Sequence, residues 1–381
     1  MTTDLRQHQP ILEAKALSKY FHVGGGFRPK QLRALHEVSF ALGVRQVVAL
    51  VGESGSGKST IARLLVRLME PSSGKIIFRG RDMLQEEPKQ ASLDYRSQVQ
   101  MIFQDPFGSL NPVHTIGSHL ERPLLLHGKA KSGPELKDRV HELLTTVDLN
   151  PAAELAARYP HQLSGGQRQR VAIARALAPG PSVILADEPI SMLDVSIRVG
   201  VLNLMERLKE ERGISYLYIT HDLASARYFA DRTMVMYAGN IVESAPSEEL
   251  MQRPAHPYTQ LLLSAVPDPN GSMSSELKAK SGAPKLINPP PGCPFADRCP
   301  SVMAVCRQEM PASTTLGQDR WVRCHLYGKN SASSTVGSQE LNSDTPMTVP
   351  VENAAIGEHS SVMRLAEPRS HTHHDDHPIS Q

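Results

Sequence analysis

Across its 381 residues the chain is 40% hydrophobic and 21% charged, the balance of a soluble globular protein with room for about two domains and a sizeable core. Forty-one Lys and Arg oppose 39 Asp and Glu, and the resulting +2 gives no global attraction to nucleic acid or anionic lipid. No stretch approaches the ~20 apolar residues of a membrane span, and residues 1–15 lack a secretory apolar core, so a cytoplasmic chain is expected.

Apolar runs suited to buried strands fall at 47–51, 183–186 and 216–219, with segments of helical period between them, which predicts an α/β architecture. After the first run comes Gly52-Glu53-Ser54-Gly55-Ser56-Gly57-Lys58-Ser59-Thr60, which satisfies G-x-x-x-x-G-K-[ST] between a predicted strand and a predicted helix. In that setting the glycines let successive N–H groups curl toward one anion. The helix N-terminus adds positive potential, and Lys58 brings a mobile charge to the terminal phosphates. Ser59 is suited to magnesium. The helix should carry Ile61, Leu64, Leu65, Leu68 and Met69 on one face, with Arg63, Arg67 and Glu70 opposite, and should stop at Pro71.

Further along, Ser164 is suited to cap a helical run through Leu177 that Pro179 ends. The strand that follows closes on Asp187 and Glu188, at the edge where open α/β sheets bind ligands. In a phosphate-loop ATPase, Asp187 would orient the magnesium shell, and Glu188 would position or deprotonate the attacking water.

Leu163-Ser164-Gly165-Gly166-Gln167, standing between that loop and that strand, resembles the signature motif of the ATP-binding-cassette ATPases. The resemblance implies a P-loop NTPase of ABC type: a RecA-like core, an antiparallel β subdomain and a helical signature subdomain. In this family the signature cannot close its own phosphate loop, so two cassettes pair head to tail and Ser164, Gly165, Gly166 and Gln167 would cover the partner's ATP. Gln104, after Met101-Ile102-Phe103, resembles the Q-loop glutamine that touches magnesium and water. Ser191-Met192-Leu193-Asp194 resembles the D-loop, and His221, followed by Asp222-Leu223, the switch histidine. Phe21 is similar to the aromatic that stacks on adenine, with Tyr20 the competing residue. Ile190 and Met192 depart from the common Thr and Ala, which bears on interface packing more than on chemistry.

A narrower resemblance covers residues 11–327. Residues 103–112 (FQDPFGSLNP), Pro254-Ala255-His256-Pro257-Tyr258-Thr259 and Ser264-Ala265-Val266-Pro267 are similar to the oligopeptide/dipeptide importer branch. It implies an ATPase energising peptide import, on the cytoplasmic face of the membrane. The implied partners are a second cassette, commonly a different chain, two permeases and an extracytoplasmic binding protein, with no nucleic acid. Nickel-chelate or glutathione uptake is the alternative cargo. An ABC ATPase working on nucleic acid or ribosomes is the rival, which a single motif set without heptad arms disfavours. The cofactors implied are ATP and Mg2+.

Cys293, Cys299, Cys306 and Cys324 resemble that branch's C-terminal extension, which can carry a [4Fe-4S] cluster. Their C-x5-C-x6-C-x17-C spacing supplies four thiolates, while zinc and unliganded thiols stay open as alternatives, as does a metal- or redox-sensing role. The expected division is a leader at 1–10, the ATPase domain at 11–267, a Pro/Gly/Ser linker at 268–291 and the Cys extension at 292–328. A tail at 329–381 is expected to be disordered, including His371, His373, His374 and His377, which could chelate a metal.

Overall fold

The computed structural model describes residues 9–24, 30–265 and 286–328. Residues 1–8 of the expected leader, the expected linker as far as residue 285, and the expected tail with its four histidines lie outside the described residues.

Among these residues the strands form two sheets. One is antiparallel and four-stranded, in the order Lys30–Leu42, Leu12–Val23, Ser73–Phe78 and Arg81–Asp82. The other has eight strands, in the order Ser313–Gly317, Arg320–Arg323, Asn240–Pro246, Arg232–Tyr237, Val47–Val51, Ser215–Thr220, Val183–Asp187 and Val99–Ile102. From Arg232–Tyr237 to Val99–Ile102 every pairing is parallel.

The three runs expected as strands are buried on both faces, which is why they read as continuous apolar stretches rather than alternating ones. Val47, Ala49 and Val51 point into a cluster built with the helices Ile116–Leu126, Pro134–Thr146, Gly165–Leu177 and Val195–Arg212. Val48 and Leu50 point the other way, against the antiparallel sheet and the helix Lys58–Leu65. The parallel sheet is thus clamped between helices and a second sheet, the RecA-like core, β subdomain and helical subdomain expected from the resemblance.

The register of these strands makes the site. Val51 pairs with Thr220, Asp187 with Ile219 and Ile102 with Ala186, so the strands end nearly level. Whatever follows them (the phosphate loop, Gln104, Glu188 and His221) emerges along one edge.

Two elements differ from expectation. The phosphate-loop helix ends at Leu65 rather than near Pro71, leaving Leu68 64% exposed. Arg67 takes a left-handed backbone, φ 58, and its guanidinium is held by the Met83 carbonyl at 3.1 Å and the Glu87 carboxylate at 3.2 Å, so the chain turns away before the apolar stripe is complete. The Cys extension also contributes to the main sheet: the hairpin of Ser313–Gly317 and Arg320–Arg323 adds to Asn240–Pro246 through Glu243↔Val322 and Ser244↔Trp321.

The helix Pro257–Ser264 begins at His256, whose Nδ1 accepts from the Tyr258 N–H at 3.0 Å. The ring is 1% exposed, and burial lowers its pKa to about 3. The unfolded chain therefore binds a proton that the folded chain refuses. Stability is complete above the ordinary histidine value near 6.5 and is lost as pH falls from there toward 3. By about pH 5 the loss should be about 2 kcal/mol. Thermal melts of wild type and His256→Asn, whose amide can still cap, should show the steeper acid-side decline in wild type; parallel pH profiles would contradict this origin.

Candidate functional site

Gly52 leaves the Val47–Val51 strand and the helix starts at Lys58, with Gly57 as its N-cap at φ 107. A Cβ on Gly57 would lie 2.5 Å from the Ala34 carbonyl oxygen, so glycine is required both for conformation and for space. Ser54 and Gly55 form the exposed crest of the loop, and Thr60 continues into the first helical turn. Lys58 is folded back: Nζ donates to the Gly52 carbonyl at 2.7 Å and the Glu53 carbonyl at 3.0 Å. Burial lowers its pKa, against the pull of Glu188, Asp187 and Glu53. The two loop carbonyls satisfy the buried ammonium.

Ser59 Oγ donates to Asp187 Oδ1 at 3.0 Å, joining the loop to the neighbouring strand end. Asp187 is 3% exposed, and burial raises its pKa; the Ser59 hydrogen bond opposes the rise and Glu188 adds to it. A buried carboxylate held above its ordinary range beside a hydroxyl is a hard oxygen pair that suits Mg2+. The next residue turns outward. Glu188 sits at φ 47, a left-handed conformation costing about 1 kcal/mol or more, pinned by its N–H on the Ile219 carbonyl at 2.9 Å and by Ser191 Oγ on its own carbonyl at 3.0 Å. One oxygen, Oε2, is met by Gln104 Nε2 at 3.0 Å and His221 Nδ1 at 3.2 Å. Five side chains expected to act together, from three strand ends and the phosphate loop, therefore converge: Ser59 on Asp187, and Gln104 with His221 on Glu188.

The signature lies elsewhere on the chain. Ser164 Oγ accepts from the Gln167 N–H at 3.2 Å while Gln167 Oε1 accepts from the Ser164 N–H at 3.0 Å, a reciprocal capping box on Gly165–Leu177. Ser164, Gly166 and Gln167 line a depression of about 340 Å3 with Asp148, Arg170 and Ile197, separate from the cavity lined by Gln104 and Asp187. Gly166 packs so tightly that a Cβ would come 2.7 Å from Ile197 Cγ2. Asp194 is exposed as the N-cap of Val195–Arg212, beside exposed Met192, Val195 and Val199, whereas Ile190 is buried. Of the two aromatics considered for adenine, Tyr20 commits its hydroxyl to His36 Nδ1 at 2.9 Å, while Phe21 stays half-buried with the Lys19 ammonium 5.2 Å from its ring centroid.

The cysteines require a correction. Cys293, Cys299, Cys306 and Cys324 are free thiols lining one cavity with His256 and His325 at its margin. That cavity holds about 10 Å3, the space of a single water-sized sphere. Burial pushes Cys293 up to about 12 and raises Cys299 and Cys324. Among the described residues no three His, Cys, Asp or Glu are gathered to hold a metal ion. The [4Fe-4S] cluster that the resemblance allows is therefore not supported among the described residues.

One feature was missed in the sequence. Glu53, inside the phosphate loop, is held by Arg298 from the Cys extension and by the Tyr258 hydroxyl. Loop position 53 is unconstrained in the motif, and nothing local in either segment announces a partner 245 residues away.

A phosphate loop whose companion anion-binding helix opens into a different depression is the construction of an ATP-binding-cassette ATPase. The profile described as "ABC transporter" matches residues 35–191, and that described as "Oligopeptide/dipeptide transporter, C-terminal region" matches residues 242–306. The oligopeptide transport ATP-binding protein AppF of Bacillus subtilis is 43% identical over 84% of this chain and 98% of its own. The dipeptide transport ATP-binding protein DppF of Escherichia coli is 44% identical over 81% and 92%. Among solved structures, the dimeric cassette MJ0796 in a post-hydrolysis state with ADP and Pi is 31% identical, with TM-score 0.54 over 62% of this chain and 98% of that one. The chain belongs to the oligopeptide/dipeptide-transport family of ABC transporter ATP-binding proteins.

Gly57→Ala should destabilise the full chain by about 2 kcal/mol or more through strained φ and the Ala34 contact. Urea unfolding checks this; an unchanged midpoint would show that the loop relaxes freely.

Proposed function

We propose that this chain is the ATP-hydrolysing subunit of a peptide importer. The observation that carries the reading is the joining, on one polypeptide, of a cassette whose loop and acidic strand end meet at Ser59–Asp187 with the peptide-transporter C-terminal region. The nucleic-acid and ribosome alternative gains nothing from either match.

In this reading Lys58 exchanges its loop carbonyls for the terminal phosphates of ATP, with Gly52, Ser54, Gly55, Gly57 and Thr60 shaping the cradle and Phe21 stacking on adenine. Ser59, Asp187 and Gln104 hold Mg2+, which when bound neutralises charge on the phosphate oxygens. Glu188 aligns the attacking water and accepts its proton, and His221 contacts the γ-phosphate. Ser164, Gly165, Gly166 and Gln167 close the site of a second cassette, with Asp194 and the exposed Met192, Val195 and Val199 on the face that meets it. ATP favours that closed pair, and hydrolysis releases it.

Coupling to the membrane has a surface of its own. A cavity of about 1050 Å3 runs from Gln104 and Asp187 past Phe103, His114, Arg122 and Leu126. Phe103 and Leu126 are exposed there, so the groove offers apolar anchors to a permease segment, and Gln104 touches both that groove and Glu188. Among the described residues no helix is long and apolar enough to cross a membrane. We infer a peripheral place on the cytoplasmic face of the inner membrane, with a second and different cassette, two permeases and an extracytoplasmic binding protein. Residues 11–267 and 292–328 are the cassette and extension in this division.

The test is hydrolysis by the assembled transporter. Peptide-loaded binding protein should stimulate wild type, and Glu188→Gln should lower turnover by about 100-fold or more while MgATP affinity changes little. Undiminished turnover in Glu188→Gln would contradict the assignment.

A further inference from the structure

The turn between the first two cysteines is packed against the cassette. Phe295 is 1% exposed, its ring 5.2 Å from that of Tyr237 and 5.4 Å from that of Tyr258 between centroids. The N–H groups of Arg298 and Cys299 both donate to the Phe295 carbonyl at 3.0 Å, so the turn is closed and Arg298 springs from a fixed point. Its guanidinium takes both carboxylate oxygens of Glu53, Nη1 to Oε2 at 2.8 Å and Nη2 to Oε1 at 2.9 Å. The Tyr237 and Phe295 rings lie 5.7 and 5.8 Å from the guanidinium carbon and fix its plane. The Arg298 side chain is 16% exposed and that of Glu53 37%, so water screens the pair in part, from the Glu53 side.

Glu53 is the residue after the first glycine of the phosphate loop. Its N–H donates to the Tyr258 hydroxyl at 2.9 Å, and its carbonyl accepts from Lys58 Nζ at 3.0 Å and from the Ser56 N–H at 3.2 Å. The loop that must receive a polyanion thus carries a carboxylate of its own, which would repel the phosphates if left uncompensated. Arg298 lies in a segment more than two hundred residues downstream and cancels that charge through a two-pronged contact that also sets its direction.

We propose that Arg298 is a positioning residue for the nucleotide site: it neutralises Glu53 and holds it toward the C-terminal extension, so that the extension sets the cassette's affinity for MgATP. The proposal rests on the ATP-site reading above and adds a role for the extension that the reading does not need. Arg298 touches no reacting atom; it acts through Glu53 and the loop.

The experiment is MgATP titration calorimetry on the full-length chain as wild type, Arg298→Gln, Arg298→Lys, Glu53→Gln and the Arg298→Gln/Glu53→Gln double variant. Arg298→Gln should weaken binding about tenfold, since it strands a carboxylate beside the phosphates, and Arg298→Lys should fall between it and wild type. The double variant should recover to within about threefold of wild type, because the repelling charge is gone. In the assembled transporter KM for ATP should follow these changes while kcat stays within about twofold. Glu53→Gln alone should bind MgATP at least as tightly as wild type, whereas a purely structural loss of the pair would weaken it as Arg298→Gln does. Wild-type affinity in Arg298→Gln, or a double variant as weak as the single one, would overturn the proposal while leaving the ATP site standing. Failure of wild type to bind MgATP would overturn the site reading and the proposal with it.

Discussion

Parallel pairing with a level edge is the constraint on which this molecule depends. Val47–Val51, Ser215–Thr220 and Val183–Asp187 are locked in register by ladder hydrogen bonds and by burial on both faces. A shift of one residue in any of them would turn apolar side chains between the two core clusters and carry Asp187 away from Ser59. The chemistry is not built by a loop searching for its partners. It is delivered by a sheet whose packing fixes where each strand must stop, and the short contacts at Ser59–Asp187 and Gln104–Glu188 are the result.

The polar groups of the edge bind one another: Lys58 the loop carbonyls, Ser59 the Asp187 carboxylate, Gln104 and His221 one oxygen of Glu188. Burial lowers the pKa of Lys58 and raises that of Asp187, which disfavours the charged form of each. The signature helix has already used its cap on itself and faces a separate depression, which leaves the exposed edge to be covered by another molecule.

Much of this was legible in the sequence where one local rule and one global requirement agree. Strand 47–51 is apolar throughout because both faces are buried; Ser164 and Gln167 announce their helix because capping is a short-range interaction; Asp187 and Glu188 follow a strand end. What escaped depends on long-range packing. The helix from Lys58 ends early because Arg67 is drawn to Glu87, twenty residues on. The edge strand Ser313–Gly317 and its neighbour Arg320–Arg323 are short, and neither carries an apolar run that would mark it. The four cysteines have a spacing that suits a cluster, yet among the described residues they are free thiols lining one small cavity, and no metal-holding group is gathered there. The clasp of Arg298 on Glu53 is invisible to any motif because its two ends belong to different segments.

The central claim is that this chain carries two halves of a nucleotide site that meet only between two cassettes. Light scattering of the Glu188→Gln chain with its companion cassette measures that claim most directly. The account predicts a pair held together by MgATP and lost when Ser164→Arg is added. Single chains at saturating MgATP, or a pair indifferent to Ser164, would contradict it.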